Sequence, residues 1–434
     1  MSIATSTVSV EKLDSQTDSV PIPSPVPDPR FALLILCAII AGERFCFYVL
    51  FSLYTLFQMT EFGLTEAQAT LHFGIFTAAI YLTPIVGGPV ADRFGRWPSI
   101  LLGMALLTFG YLMAGIGLSV SVSLAFIAAG MGLFKGNITT LVGSLFPKYE
   151  RDAAYSRFYW AVNLGSLPSG LVGGWISSHY GFRSAFLVCC AVMILILPVG
   201  IYYRHSFRSS ALVEDSQRHD TTDRERTITI LILLPIAMLF FCAFYQSGTS
   251  LTLFAKNNTR ESLAGIPISP PAYQSLQPAL VLMLTPVLVR VFRRWPLRTW
   301  QKLLIGMGLC SLSCFVMSNA SIVASFASSH GRVSPLWLIS SYVLISIAEL
   351  CVSPLGFSLV SKLSPPKYAG LLMGLWMAAI ALGNLGTGFL GLLWERWDHA
   401  TFFAFLTGLS ALAIPLLWSR RHRLDRVLGG DHGK

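Results

Sequence analysis

Two oppositely charged residues stand side by side inside an apolar run, and chemistry could reside there. Glu43 and Arg44 lie within residues 31–57, a run long enough to cross a bilayer as a helix. A charge near the centre of a spanning helix costs about 2.5–3.5 kcal/mol on insertion scales. We therefore weigh an ion or substrate site beside a water-filled cavity against a structural ion pair, and we favour function.

Two more ionisable residues occupy the middle of apolar runs in opposite halves of the chain. Lys135 lies within residues 121–145, and Glu349 lies within residues 335–359. Each would be costly if left unpaired, whereas in a shared wet cavity they can bind a zwitterion or each other. The mid-span position of Lys135 disfavours snorkelling to an interface. We predict that the four charges, which sum to zero, lie in one hollow between two helical bundles.

The composition is that of a membrane protein. Of 434 residues, 54% are hydrophobic and only 12% are charged, whereas about a quarter of a soluble protein is charged. The net charge is +10, but the basic residues form short clusters between apolar runs, which argues against a nucleic-acid partner. The eight cysteines include no Cys-x-x-Cys pair, and we expect no metal and no cofactor.

Apolar runs bounded by charged or turn-forming residues predict an all-α membrane protein with about twelve transmembrane helices. The predicted spans are 31–57, 70–90, 99–118, 121–145, 155–177, 185–203, 228–254, 273–291, 303–322, 335–359, 370–393 and 401–418. The predicted organisation is a disordered cytoplasmic tail (1–30), a six-helix bundle (31–204), a cytoplasmic linker (205–226), a second six-helix bundle (227–419) and a cytoplasmic tail (420–434).

Basic residues predict the orientation. They cluster in alternate connections, at Arg93, Arg96, Lys148, Arg151, Arg204, Arg208, Arg290, Arg293, Arg294, Arg298, Lys362, Lys367, Arg420, Arg421, Arg423 and Arg426. The other connections hold only Arg183, Lys256, Arg260, Arg332 and Arg396. Because positively charged loops stay in the cytoplasm, we expect both termini there, in a multi-pass protein of the plasma or inner membrane.

The two halves repeat each other. Leu-Thr-Pro occurs at 82–84 and 284–286, Arg-Trp-Pro at 96–98 and 294–296, and Gly-Met at 103–104 and 306–307. Three matches in the same order, at a nearly constant offset, indicate a parallel duplication. Parallel six-helix repeats are the architecture of major facilitator carriers, so the pattern predicts the major facilitator fold.

Residues 87–96 (GGPVADRFGR) resemble the major facilitator signature between the second and third spans. Its glycines would let two helices approach closely. The resemblance implies a cytoplasmic gate of Asp92, Arg93 and Arg96, in which Asp92 pairs with a basic group or caps the following helix. An ordinary charged turn would explain the charges but not the glycine spacing.

The closer resemblance is to the proton-dependent oligopeptide transporter (POT) family. Glu43-Arg44-Phe45 with Tyr48 looks like the second half of that family's E-x-x-E-R-F-x-Y-Y signature. Further similar segments are 133–143 (LFKGNITTLVG), 157–166 (RFYWAVNLGS), 246–254 (QSGTSLTLF), 273–278 (YQSLQP), 349–354 (ELCVSP) and 373–376 (MGLW). The resemblance covers nearly the whole chain beyond the N-terminal tail.

The resemblance implies a role for each matching position. Lys135 would hold a peptide carboxylate or pair with an acid, and Glu349 would bind the peptide's amino terminus. Glu43, Arg44 and Glu349 would carry the proton linkage. The implied cavity lining is Tyr81, Asn163, Gln277 and Trp376, with ordinary packing as the alternative for Tyr81 and Trp376.

The chain departs from the family pattern at several positions. Ile40 replaces the first glutamate of the signature, Phe47 replaces a tyrosine and Gln277 an asparagine. Phe51 and Tyr245 stand where the family has an arginine and a seventh-span glutamate that pair across the halves. Losing both charges is cheaper than leaving one of them buried alone. We therefore predict an altered site with weaker or altered proton coupling.

The resemblance implies proton-coupled symport of di- and tripeptides by alternating access, in a carrier that is functional as a monomer. A carrier of another small solute, such as nitrate or a modified amino acid, stays open because Phe47 and Phe51 make the cavity less polar. A facilitator without proton coupling also stays open. We expect no enzyme, because no metal-ligand cluster, nucleophile motif or phosphate loop is present in the sequence.

Overall fold

The computed structural model describes residues 28–146, 148–204, 223–295, 297–326, 331–365 and 368–428. The predicted tail at 1–30 and linker at 205–226 lie mostly outside the described residues. Their described ends are helical, since the first helix begins at Pro29 and the seventh crossing begins at Asp223. Within the predicted cytoplasmic tail at 420–434, residues 421–428 form a helix.

The described residues of the first half form seven helices. They are α1 (Pro29–Phe62), α2 (Glu66–Phe94), α3 (Arg96–Gly115), α4 (Val120–Ser144), α5 (Lys148–Ser166), α6 (Ser169–Tyr180) and α7 (Phe182–Tyr202). Two of them have side-chain caps at their N-termini. Asp28 accepts a hydrogen bond from the Arg30 amide, and Thr65 forms a capping box with Gln68.

Where the structure describes it, the second half is also helical apart from one short hairpin. It consists of α8 (Asp223–Phe244), a 3-10 segment (Tyr245–Gly248), α9 (Ser250–Asn258), the strands β1 (Ser262–Leu263) and β2 (Ile266–Pro267), a 3-10 segment (Pro270–Ser275), α10 (Leu276–Arg294), α11 (Thr299–Phe326), α12 (Leu336–Leu363), α13 (Ala369–Trp394), α14 (His399–Ala411), α15 (Ala413–Ser419) and α16 (Arg421–Leu428). The two strands pair antiparallel.

Eleven segments of the described residues are long and apolar enough to cross a membrane. They match eleven of the predicted spans. The remaining one, at 155–177, is divided between α5 and α6 at Pro168. A proline has no amide hydrogen to donate and disfavours helix at the residue before it, which explains the break. Counting α5 with α6 as one crossing gives the expected twelve.

Glycines set the close packing inside each half. A Cβ on Gly87 of α2 would lie 2.0 Å from the carbonyl oxygen of Gly132 in α4, so the signature glycine does bring two helices together. The Gly-Met repeat occupies equivalent places, with Gly103 of α3 against α4 and Gly306 of α11 against α12. The sequence repeat is therefore also a repeat of helix packing.

The two halves meet on one side of the membrane. We call the side on which α1 begins the terminal side and the other the distal side. Near the distal side, a Cβ on Gly74 of α2 would lie 2.6 Å from Gly388 Cα of α13. Glu66 accepts hydrogen bonds from Trp394 Nε1 at 2.7 Å and Asn257 Nδ2 at 2.8 Å. These contacts join α2 to α13 and α9.

Two more contacts between the halves seal the distal side. The Leu171 amide of α6 donates to Ser275 Oγ at 3.1 Å, at the start of the eighth crossing. Thr55 Oγ1 of α1 donates to the carbonyl oxygen of Gly248 at 2.8 Å. The first, second and fifth crossings of one half are thus fastened to the seventh, eleventh and eighth crossings of the other.

Candidate functional site

Glu43 and Arg44 form a buried ion pair within α1. Arg44 Nε lies 2.6 Å from Glu43 Oε2, and Arg44 Nη2 lies 2.8 Å from Glu43 Oε1. The two residues are 0% and 4% exposed, and the guanidinium also lies 4.7 Å from the centroid of the Phe47 ring. Both carboxylate oxygens therefore have a charged partner in this conformation. The assignment of the pair to proton coupling stays a prediction.

Lys135 is half-buried on α4 and has an aromatic partner. Its Nζ lies 4.3 Å from the centroid of the Tyr81 ring on α2. Among the described residues, no carboxylate lies within the 4.0 Å that would make an ion pair with it. A Cβ on the neighbouring Gly136 would meet nothing within 4 Å, so open space borders this position. A cation held only by a ring face can exchange that ring for an anion.

Glu349 is half-buried on α12 and has an uncharged partner. Its Oε2 accepts a hydrogen bond from Gln277 Nε2 of α10 at 2.9 Å. Glu349 is therefore placed on the second half of the chain with an uncharged hydrogen-bond donor as its partner.

The four deep charges do not share one hollow, which corrects the prediction from the sequence. Glu43 and Arg44 neutralise each other in a buried pair, because the arginine side chain folds back onto its neighbour. Lys135 and Glu349 are partly exposed, and no ion pair joins these two described residues. Of the two options for them, mutual pairing is wrong for this conformation, and a site for an external zwitterion stays open.

Two implied lining residues make contacts inside their own half. The Asn163 amide donates to the carbonyl oxygen of Tyr159 at 2.9 Å, one turn earlier in α5. Trp376 of α13 is 2% exposed and packs against Gly356 and Phe357 of α12. Its indole N–H is buried without a partner among the described residues. Whether these two side chains meet a ligand stays a prediction.

The two positions that lost their charges touch each other. Phe51 of α1 and Tyr245 of the 3-10 segment have ring centroids 5.9 Å apart. The Tyr245 hydroxyl forms a hydrogen bond of 2.5 Å with the Tyr81 hydroxyl. An aromatic contact with one hydrogen bond thus stands where the family pattern has an ion pair. The sequence analysis predicted only the loss of charge at these two positions and did not predict the bond between Tyr245 and Tyr81.

The predicted gate residues lie at the terminal-side end of α2. Arg96 Nη2 is 3.9 Å from Asp92 Oδ1, and the Asp92 side chain is 71% exposed. Arg93 lies over the ring of Phe94, 5.7 Å from its centroid. Helix α3 begins at Arg96, and its N-cap residue Gly95 has no side-chain cap, so Asp92 lies beside Arg96 and does not cap this helix. This pair lies within one half. The role of these residues in a gate stays a prediction.

Comparison with known proteins agrees with this architecture. The sequence model of the Major Facilitator Superfamily matches residues 33–385. Dipeptide and tripeptide permease A of Edwardsiella piscicida is 30% identical over 420 residues, which cover 83% of this chain and 85% of that protein. Dipeptide and tripeptide permease A of Escherichia coli strain K12 is 27% identical, with 85% of each chain covered.

Solved structures show the same fold. A crystal structure of the peptide transporter POT in complex with sulfate has a TM-score of 0.83 at 25% identity, covering 91% of this chain and 95% of that one. A POT family transporter in complex with a thioalcohol-conjugated peptide has a TM-score of 0.84 at 22% identity. The predicted all-α major facilitator fold is confirmed. The chain belongs to the Major Facilitator Superfamily and, within it, to the proton-dependent oligopeptide transporter family, whose members are transporters and not enzymes.

Proposed function

We propose that this chain transports di- and tripeptides by alternating access between its two halves. One observation carries the proposal. Lys135 and Glu349 are a partly exposed cation and anion on opposite halves, and each is held by an uncharged partner. A peptide with free ends offers a carboxylate to Lys135 and an ammonium group to Glu349. Hydrogen bonds between charged groups are roughly twice as strong as neutral ones, so the peptide can displace Tyr81 and Gln277.

The orientation follows from the charge of the connections. Most of the basic residues between the crossings lie on the terminal side, which we assign to the cytoplasm by the positive-inside rule. The contacts that join the halves lie near the distal side, so we interpret the structure as a cytoplasm-facing state. A peptide released from this state would enter the cytoplasm. Both halves of the site belong to one chain, so we expect a monomer to be the functional unit.

Of the two deep acids, Glu349 is the better candidate for binding the coupled proton. Protonation of Glu43 would break the bidentate pair with Arg44, which is buried. Protonation of Glu349 breaks no ion pair, since its partner is the Gln277 amide. We propose Glu349 as the residue that links a proton to the peptide's amino group. Coupling would be weaker than in relatives that keep the first acid of the signature.

A carrier of another small solute is the second candidate. It is favoured by the aromatic wall of Phe47, Phe51 and Tyr245, which leaves fewer polar groups for a peptide backbone. Nitrate carries a charge that suits Lys135 but has no ammonium group for Glu349. A modified amino acid could use both residues.

Uptake by the purified protein in liposomes tests the assignment. We expect uptake of a labelled dipeptide that is competed by unlabelled di- and tripeptides and not by nitrate. Competition by nitrate alone would replace the peptide assignment with an anion carrier. Dipeptide uptake that ignores an imposed pH gradient would leave a facilitator and remove the symport proposal.

A further inference from the structure

The seventh crossing is broken at the residue that contacts the other half. Helix α8 ends at Phe244, the 3-10 segment covers Tyr245–Gly248, and α9 begins at Ser250. The N-terminal half holds this break at both ends. Tyr81 bonds the hydroxyl of Tyr245, and Thr55 donates to the carbonyl oxygen of Gly248. A helix break that is bonded to the other half at both ends can control whether the distal side is open or sealed.

The hydrogen bond between the two phenols is buried at its Tyr245 end. Tyr245 is 9% exposed, and its ring packs near Phe51 at 5.9 Å and Phe241 at 6.0 Å. A buried hydroxyl that loses its partner also loses the hydration that would replace it. Separating Tyr81 from Tyr245 is therefore unfavourable unless another group takes the place of one of them.

Tyr81 connects this bond to the candidate substrate site. Its ring face carries the ammonium group of Lys135 at 4.3 Å, while its hydroxyl reaches Tyr245. The three side chains come from α4, α2 and the break in the seventh crossing, so they join the charge in one half to the break in the other. A ligand that binds Lys135 therefore changes the contacts of Tyr81, the same tyrosine that is bonded to the break in the seventh crossing.

We propose that Tyr81 and Tyr245 form a latch that keeps the distal side sealed while the site is empty. A ligand carboxylate that draws Lys135 away from the Tyr81 ring frees this tyrosine and releases the latch. The identity of the carboxylate as a peptide's rests on the proposed function, whereas the latch itself does not. Because the empty carrier stays latched, exchange of ligand across the membrane is faster than net transport.

Distances across the distal side test the latch directly. Spin labels at Leu118→Cys, in the α3–α4 turn, and at Lys256→Cys, in α9, report the separation of the halves at exposed positions. We expect Tyr81→Phe and Tyr245→Phe each to raise the population of the longer distance about two- to tenfold, the effect of one net hydrogen bond. Seven of the eight native cysteines are buried, and protein without the introduced cysteines gives the background labelling.

A matched control removes a different phenol. Tyr111 of α3 is 0% exposed, and its hydroxyl has no partner among the described residues. Tyr111→Phe should leave the distances unchanged. Lys135→Met should raise the open population in the native background and add little to Tyr245→Phe, since both changes release the same contact.

The outcomes separate the latch from the substrate assignment. If Tyr245→Phe gives the same distances as Tyr111→Phe, the contact is packing only and the latch is wrong. Fully additive effects of Lys135→Met and Tyr245→Phe would also overturn it. The distances are measured without ligand, so a shift in Tyr245→Phe supports the latch even where dipeptide uptake fails. Exchange of internal for external dipeptide should exceed net uptake, and equal rates would contradict the latch.

Discussion

The deep charges of this carrier are of two kinds. Glu43 and Arg44 contact each other at 2.6 and 2.8 Å inside α1. Among the described residues, Lys135 has an aromatic ring as its partner and Glu349 has an amide. A buried pair in which each charge already has its counter-charge stabilises the fold. A charge with an uncharged partner remains available to a ligand. We therefore propose that the first pair stabilises the fold and that the second pair binds the substrate.

The sequence located all four residues but could not predict this division. Adjacent positions on a helix point in different directions, so the sequence left both a cavity site and a structural ion pair open for Glu43 and Arg44. The arginine side chain is long enough to fold back onto the preceding residue, and the burial of both residues favours that contact. Rotamer choices of this kind depend on neighbouring helices that a single segment of sequence does not reveal.

Breaking the buried pair on one side should be costly. Arg44→Met leaves the Glu43 carboxylate buried without a counter-charge, which costs about 3–5 kcal/mol for a pair of this type. The double variant Glu43→Gln with Arg44→Met should be clearly more stable than the single one. Thermal unfolding of the purified proteins measures both. A double variant no more stable than Arg44→Met would contradict the assignment of the pair to structure.

The charges missing from the family pattern can be restored. Phe51→Arg alone places an unpaired cation in an aromatic cluster and should lower the thermal stability. Adding Tyr245→Glu supplies its partner, because the two rings are already 5.9 Å apart. We expect the double variant to regain stability and its uptake to depend more strongly on a pH gradient. Equal instability of both variants would show that the two positions do not pair.

At the scale of helices, hydropathy predicted where the chain crosses the membrane but not where crossings break. Hydropathy is averaged over about twenty residues, so the interruptions at Pro168 and at Tyr245–Gly248 barely change its value. Pro168 is a sequence signal that could have predicted the first of these interruptions. The 3-10 segment is stabilised by contacts with the other half, such as the bond from Thr55 to Gly248, and these depend on the tertiary fold.

The packing of α2 against α13 predicts a sharp difference between two glycines of one helix. A Cβ on Gly74 would lie 2.6 Å from a backbone atom of α13, whereas a Cβ on Gly88 would meet nothing within 4 Å. Gly74→Ala should therefore disfavour the sealed state by about 1–3 kcal/mol, the usual cost of overpacking. The spin-label distances across the distal side should lengthen in Gly74→Ala and stay unchanged in Gly88→Ala. Equal behaviour of the two variants would argue against a seal at this helix pair.

At the scale of the whole molecule, the repeat in sequence became a repeat in packing. Gly103 and Gly306 fill equivalent positions in the third and ninth crossings, and both following methionines are fully buried. The sequence could predict two similar halves for this reason. It could not predict which side is sealed, since both states of a carrier are built from one sequence and differ by only a few kcal/mol.

The central claim is that Lys135 and Glu349 bind the two ends of one peptide, and competition by peptides with blocked ends tests it most directly. We expect Glu349→Gln to weaken a free dipeptide about ten- to hundredfold, the loss of one charged hydrogen bond, and to leave an N-acetylated dipeptide unchanged. Lys135→Gln should weaken peptides with a free carboxylate and spare a dipeptide amide. If each variant weakened blocked and free peptides alike, the two residues would not hold the peptide ends and the account would be wrong.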